Sequence, residues 1–487
     1  MIKNLEIIAI LLIMRCPLSA VFAQTDSLSY YLETASRNNP AVMASFHDYK
    51  ASLQKIPQAG ALDDPVLDTG LFIQPMENLW GKQVAQFQLM QMFPWFGTKK
   101  AARTEAQHMA KMKFEQFREA RDSLFLKVYT QWYVLCRLEQ KLRNNQENLQ
   151  LLKQLEALAV RRYSSENNVS GGTSFTPGPS ENTTGDRPAP GGMSGMSTGS
   201  GMTAPLPDGN VPPMNNPENM AMSSSGGMSE VLLVQLEIAE IENGTESILS
   251  EIVAEKVRFN ALLNRPATEE VAVPGEFIQT SYVFDIETVM QMMTQQNPML
   301  GMYREESLAN KAKSEMVRKM GYPMFGIGVQ YMLIDKTSGS GGGMNSMTPM
   351  SSMNGNDMFM PMVSLTLPLS RKKYQAAERE VQFQQQAIRA NYTDTLNNLQ
   401  ADLYRYKHLL DDAGRKVLLY RKQTELARTT YDLLLRRFIS GKSDLSSVIQ
   451  VQRQLLDYRF RESEAVAGYN TMAATIQKMI SSTNIEN

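Results

Sequence analysis

Between residues 396 and 438 apolar side chains recur at alternating intervals of three and four. The series is Leu396, Leu399, Leu403, Tyr406, Leu410, Ala413, Val417, Tyr420, Thr424, Ala427, Tyr431, Leu434 and Phe438. A 3.5-residue repeat held for about six heptads predicts a helix in left-handed coiled-coil packing. Leu135, Leu138, Leu142, Leu149 and Leu152 carry a shorter version of the same pattern. The two predicted helices run from about 99 to 163 and from 371 to 439. At 1.5 Å per residue, roughly 65 helical residues reach about 100 Å, far more than a globular domain needs.

A second pattern has period two. Phe325, Ile327, Val329, Tyr331 and Leu333 alternate with Met324, Gly326, Gly328, Gln330 and Met332. Val363, Leu365 and Leu367 alternate with Ser364 and Thr366, and Ala85, Phe87 and Leu89 with Gln86 and Gln88. A less regular fourth strand is expected over Val66 to Gln74. Alternating segments of about ten residues suit a transmembrane barrel. Four strands cannot close one, and lipid does not tolerate open edges. Three chains would supply twelve strands, so membrane strands here imply a trimer.

The chain also repeats itself. Asn39-Pro40 matches Asn297-Pro298 at an offset of 258, and Ala51, Lys55, Pro65 and Gly70 meet Ala309, Lys313, Pro323 and Gly328 at the same offset. The offset grows to 275 where Arg162-Tyr163 meets Arg437-Phe438, then falls to 217 where Gln235 meets Gln452. Each step marks an insertion, one near 335–361 and a longer one near 166–228, both rich in Gly, Ser and Met and expected to be disordered. The predicted order in each half is a short helix (26–37, 284–295), a helix opened by Asn-Pro (to about 62 and 320), a strand pair, the long helix, and a last helix (230–263, 443–481). The expected division is therefore a first repeat over 24–165 with its strand pair at 66–93, the insertion 166–228, the end of the first repeat at 229–275, and a second repeat over 276–487.

At the N-terminus, Lys3, the apolar run Ile7 to Met14, and Val21-Phe22-Ala23 before Gln24 read as an export signal over 1–23. Arg15 before Cys16 does not fit a lipidation site. Charge is balanced, with 49 Lys+Arg against 50 Asp+Glu, which leaves no basic field for nucleic acid. No later run of 18 apolar residues would span a membrane as a helix. Three scattered histidines and two cysteines give no catalytic or His/Cys metal set. Gly441-Lys442-Ser443 lacks the leading glycine of a phosphate loop. No enzyme activity is expected. Cys136, the lone cysteine after Gln24, is expected to pack as a small hydrophobe. The acid-rich last helix of the first half is expected to present a solvated face.

The two-repeat order of helices and strand pairs resembles the TolC family of outer-membrane efflux ducts. The stretch Gln91-Met92-Phe93-Pro94-Trp95-Phe96-Gly97-Thr98-Lys99 resembles that family's strand-to-helix junction, in the form most similar to its heavy-metal branch, typified by CusC and CzcC. Arg437-Phe438-x-x-Gly441-x-x-Asp444-Leu445 resembles its turn at the periplasmic tip. The resemblance implies a mixed α/β membrane protein with four strands per chain. A homotrimer would form a 12-stranded β-barrel in the outer membrane of a Gram-negative bacterium, and a coiled-coil helical barrel in the periplasm. It also implies outer-membrane lipid, a periplasmic adaptor and an inner-membrane RND-type pump as partners, with Arg437, Phe438, Gly441 and Asp444 at the adaptor-docking tip. The first half departs from the pattern: Arg162-Tyr163-Ser164-Ser165 is followed by Glu166, and the long insertion begins there.

Methionine is the compositional outlier, with 33 residues. Met193, Met196, Met202, Met214, Met220, Met222 and Met228 fall in the first insertion, and Met344, Met347, Met350, Met353, Met358 and Met360 in the second. Neither insertion holds Cys or His, so thioethers are their only soft donors, and thioethers select Cu(I), and by extension Ag(I). Met193, Met196, Met202, Met220, Met222, Met344, Met347, Met350 and Met353 are the candidate metal ligands, with no resident cofactor. Incidental linker composition is the competing reading. Met290, Met292 and Met293 are expected at helix interfaces. The functional expectation is a passive trimeric duct for Cu(I), Ag(I) or other heavy metals. The alternatives are a duct for drugs or proteins, and a soluble periplasmic coiled-coil scaffold that buffers metal.

Overall fold

The computed structural model describes residues 28–78, 81–169, 226–275, 277–282, 285–336 and 355–481. The segment 1–23 and the nine candidate metal-binding methionines lie outside them. The element order is α1 (Leu28–Asn38), α2 (Pro40–Gly60), β1 (Val66–Asn78), β2 (Gly81–Phe93), α3 (Thr98–Val169) and α4 (Gly226–Leu263), then α5 (Ile286–Gln296), α6 (Pro298–Met320), β3 (Met324–Asp335), β4 (Met358–Thr366), α7 (Arg371–Ile439) and α8 (Leu445–Met479). Among the described residues no helix is long and apolar enough to cross a membrane.

Two compact units are present, Met1–Asn144 with Ser247–Thr424 and Asp457–Asn487, and Asn145–Glu246 with Glu425–Leu456. The first unit holds the sheet and two cores built from corresponding helices of the two halves. Tyr31 and Leu32 of α1 pack with Leu124, Val128, Trp132 and Leu135 of α3 and Phe259 and Leu263 of α4. Val289 and Met293 of α5 pack with Leu403 and Leu410 of α7 and Ile476 and Met479 of α8. Met290 packs against the same cluster, but Met292 is exposed, contrary to expectation.

The Asn-Pro pairs do the same work in both halves. Each asparagine caps a helix that begins with proline, whose missing N–H costs nothing in the first turn. The Asn39 side chain accepts from Ala41 and Val42, and that of Asn297 from Met299 and Leu300. Each amide then donates to the end of a distant helix, Asn39 to the Leu262 carbonyl and Asn297 to the Met479 carbonyl, both at 2.9 Å.

The heptad series on α7 is buried or half-buried at every position, with Leu403 and Val417 fully enclosed. In the second unit one acid departs from the solvated face expected for α4. Glu237 is buried and accepts from Nε of Arg453 at 2.7 Å, and a buried carboxylate is costly without such a partner. Cys136 lies in the first core, and burial pushes its thiol up to about 12, so it stays protonated.

The strands form one antiparallel sheet in the order β1-β2-β3-β4, which leaves β1 and β4 as its edges. β1 extends past the expected Gln74 to Asn78, and its register with β2 shifts between Leu71 and Met76. β4 begins at Met358, so Met358 and Met360 belong to the sheet rather than to the insertion. Likewise α3 continues to Val169 and α4 begins at Gly226, so 166–169 and Met228 are helical.

Candidate functional site

The register divides the sheet into two chemically distinct faces. One row across the strands joins Thr69, Phe87, Tyr331 and Phe359, and another joins Phe93, Phe325 and Leu365. Between them lie Leu89, Ile327, Val329 and Val363. Apart from Thr69 and Gln91, this face is apolar from the Phe93 row as far as Leu333, beyond which Lys82 pairs with Asp335, and it is exposed, with Ile327 at 60% and Val363 at 81%. The opposite face holds Gly326, Gly328 and Gln330, which are buried within a single chain. An exposed apolar face of this extent needs a cover.

The two aromatic rows are six residues apart on β3, about 20 Å along the strand. An apolar band flanked by aromatic girdles is the pattern of a barrel surface in lipid. The Pro-Trp-Phe-Gly junction strengthens the lower row. Trp95 stacks on Tyr322 and Phe325, with ring centroids 5.2 and 5.8 Å away. Gly97 takes φ +81, which lets the chain turn into α3, and a side chain there would meet the Lys319 ammonium. At the other row the Tyr331 hydroxyl donates to Asp357 at 2.6 Å, so its ring sits on the apolar face and its tip finds a polar partner.

The turn after α7 lies in the second unit. The Lys442 N–H donates to the Arg437 carbonyl and the Gly441 N–H to the Phe438 carbonyl. With Gly441 at φ +73, these two bonds make a Schellman cap. Phe438 is buried beneath the Arg162 guanidinium, 5.1 Å from its ring centroid. Arg437, Gly441 and Asp444 are exposed, and Leu445 anchors the next helix in full burial. No such turn follows Arg162-Tyr163 in α3, which runs on through Glu166.

Nothing lies within 4 Å of a side chain built at Gly441, so substitution there meets backbone strain rather than collision. Gly441→Val is expected to cost about 1–2 kcal/mol locally. It should lower the unfolding midpoint of the purified protein, while Gly441→Asn, which tolerates positive φ, should leave it unchanged.

Met193, Met196, Met202, Met220, Met222, Met344, Met347, Met350 and Met353 fall outside the described residues, so the structure assigns them no arrangement. Among the described residues no group of three or more His, Cys, Asp or Glu is placed to hold a metal ion. Sequence reasoning missed Met90, Met92 and Met332, whose common face becomes visible only through the strand register.

No protein-family model matches the chain, and no curated relative matches it either. Solved structures do. The chain is similar to the outer membrane protein VceC of Vibrio cholerae, at 12% identity and a TM-score of 0.64, over 93% of this chain and 96% of that one. It is similar to CusC, at 12% identity and a TM-score of 0.64, over 93% and 91% of the two chains. It is similar to the MtrE outer membrane channel of Neisseria gonorrhoeae, at 10% identity and a TM-score of 0.62, over 93% and 88%. Over nearly its whole length the chain therefore has the TolC-like fold, a four-stranded sheet and long paired helices, seen in these outer-membrane channels.

Proposed function

We propose that this protein is the outer-membrane channel of a tripartite efflux system in a Gram-negative bacterium. Three chains form a passive conduit from periplasm to exterior, coupled to a periplasmic adaptor and an inner-membrane RND-type pump. The observation that carries the reading is the sheet, with one continuous exposed apolar face and two unpaired edges, β1 and β4. A soluble scaffold would have to leave that face and both edges in water, where they promote aggregation. Closing three such sheets into one barrel covers the edges and gives the apolar face to lipid. The likeness to VceC, CusC and MtrE supports the same architecture.

The channel carries soft metal ions, Cu(I) or Ag(I). Support comes from the ten methionines that remain in the two insertions once Met228, Met358 and Met360 are assigned to helix and strand. Thioethers bind soft monovalent ions without a proton to lose, and several weak sites select without trapping. The conduit has no catalytic step; it contributes a path and a set of exchangeable ligands. Replacing all ten methionines by leucine should lower copper and silver tolerance of the host strain at equal trimer yield. Unchanged tolerance would leave a duct for other cargo, such as drugs or proteins. A monomer absent from the outer-membrane fraction would overturn the channel itself.

A further inference from the structure

We propose that the inner face of the sheet is a second, ordered thioether path for Cu(I) or Ag(I), with Met90 and Met92 beside Gly326 as its best-formed binding point. The inference rests on the reading of the sheet as a channel wall.

Following the register along β3, every row on the inner face from Met324 to Met332 contains methionine. Met324 pairs with Thr366, Gly326 lies between Met92 and Ser364, and Gly328 lies between Met90 and Met362. Gln330 pairs with Met360, and Met332 with Met358. The opposite face of the same paired segments carries no methionine at all, although it is built from Leu, Ile, Val and Phe. Methionine is as acceptable in an apolar layer as leucine. Apolarity alone therefore does not account for its confinement to one face.

Two sulfurs are already gathered. The Ser364 hydroxyl donates to Sδ of Met90 at 3.5 Å and to Sδ of Met92 at 3.6 Å. Gly326 makes the space: a side chain there would come within 2.6 Å of Met92 Sδ, 3.2 Å of Met90 Sδ and 2.1 Å of the Ser364 hydroxyl. Charged hard donors are few on this face, where Asp68 is the one carboxylate of the paired region and the remaining oxygen donors are the neutral side chains of Gln86, Gln88, Gln330, Ser364 and Thr366. That composition holds a soft cation and offers little to Zn(II) or Mg(II). Successive rows are about 6.7 Å apart along the strand, so an ion meets a new thioether at each step. Closely spaced modest sites favour passage over retention.

The test uses full-length trimer in detergent with chloride-free Ag(I) as the probe, read by equilibrium dialysis and by sulfur coordination in X-ray absorption. Met90→Leu with Met92→Leu preserves side-chain volume and should lose one Ag(I) per chain. Gly326→Ala keeps both thioethers but displaces them, and should weaken the same site. The variant with all ten insertion methionines replaced should keep it. Binding should persist from pH 7 to pH 5, because thioethers do not titrate there. An unchanged Ag(I) count in the double variant, or loss of binding at pH 5, would overturn the ladder while an intact outer-membrane trimer leaves the channel standing. Failure of the wild type to form that trimer would instead remove the channel reading.

Discussion

Arginine at Ile327 or Val329 is expected to deplete the trimer from outer membranes. Both residues lie on the exposed apolar face between the two aromatic rows. An arginine facing lipid near mid-membrane costs about 2–4 kcal/mol per chain, and three copies enter each barrel. Gln86→Arg, on the opposite face of the same sheet, supplies the control. There the charge faces the enclosed aqueous side and should be tolerated. Membrane fractionation and migration of unheated trimer give the readout. Equal losses from inward and outward arginines, or none from either, would mean that the face assignment is wrong.

Asn297→Ala should destabilise the protein by about 2–4 kcal/mol. Part of this is the lost cap on α6, about 0.5–2 kcal/mol. The rest is the Met479 carbonyl left without its donor in a buried place, about 1–3 kcal/mol. Asn297 is only 4% exposed, whereas Asn39 is half-buried, so Asn39→Ala should cost less. Asn297→Ser can restore the cap but does not reach Met479, and should fall between wild type and Ala. Chemical unfolding of the purified trimer measures the series. A loss below about 1 kcal/mol for Asn297→Ala would mean that water replaces both contacts.

Helices were the most legible elements, because a heptad series reports its buried side without help from any partner. Leu403, Leu410 and Val417 follow the periodicity and are enclosed. Strand existence was legible in β2 and β3, where β-branched and aromatic residues alternate with Gly and Gln. β4 was cut short. Met358-Phe359-Met360-Pro361 has the composition of the insertion before it, and no β-branched residue marks the start of the strand. β1 was also read as too short, since its register shift breaks the alternation that signals a strand. The Met90–Met92 arrangement could not be read from one strand. Alternation separates two faces of each strand, but only pairing shows which face of β2 joins which face of β3 and β4. The turn at Gly441 was legible because a helix end that reverses needs a residue with positive φ.

The paired asparagines also bear on the order in which the molecule can assemble. Asn39 reaches Leu262 across 223 positions, and Asn297 reaches Met479 across 182, and neither clamp crosses from one half into the other. Closing loops of this length is slow, so such contacts come late in folding. As the chain emerges from its N-terminal side, the first clamp can shut once Leu262 is free, before most of the second half exists as a folding partner. The second must wait for Met479. The nascent protein therefore passes through a stage in which one half is tied and the other is open. The strand β2, whose partner β3 belongs to the later half, spends that interval with an unpaired edge. That interval is when an escorting chaperone would matter most.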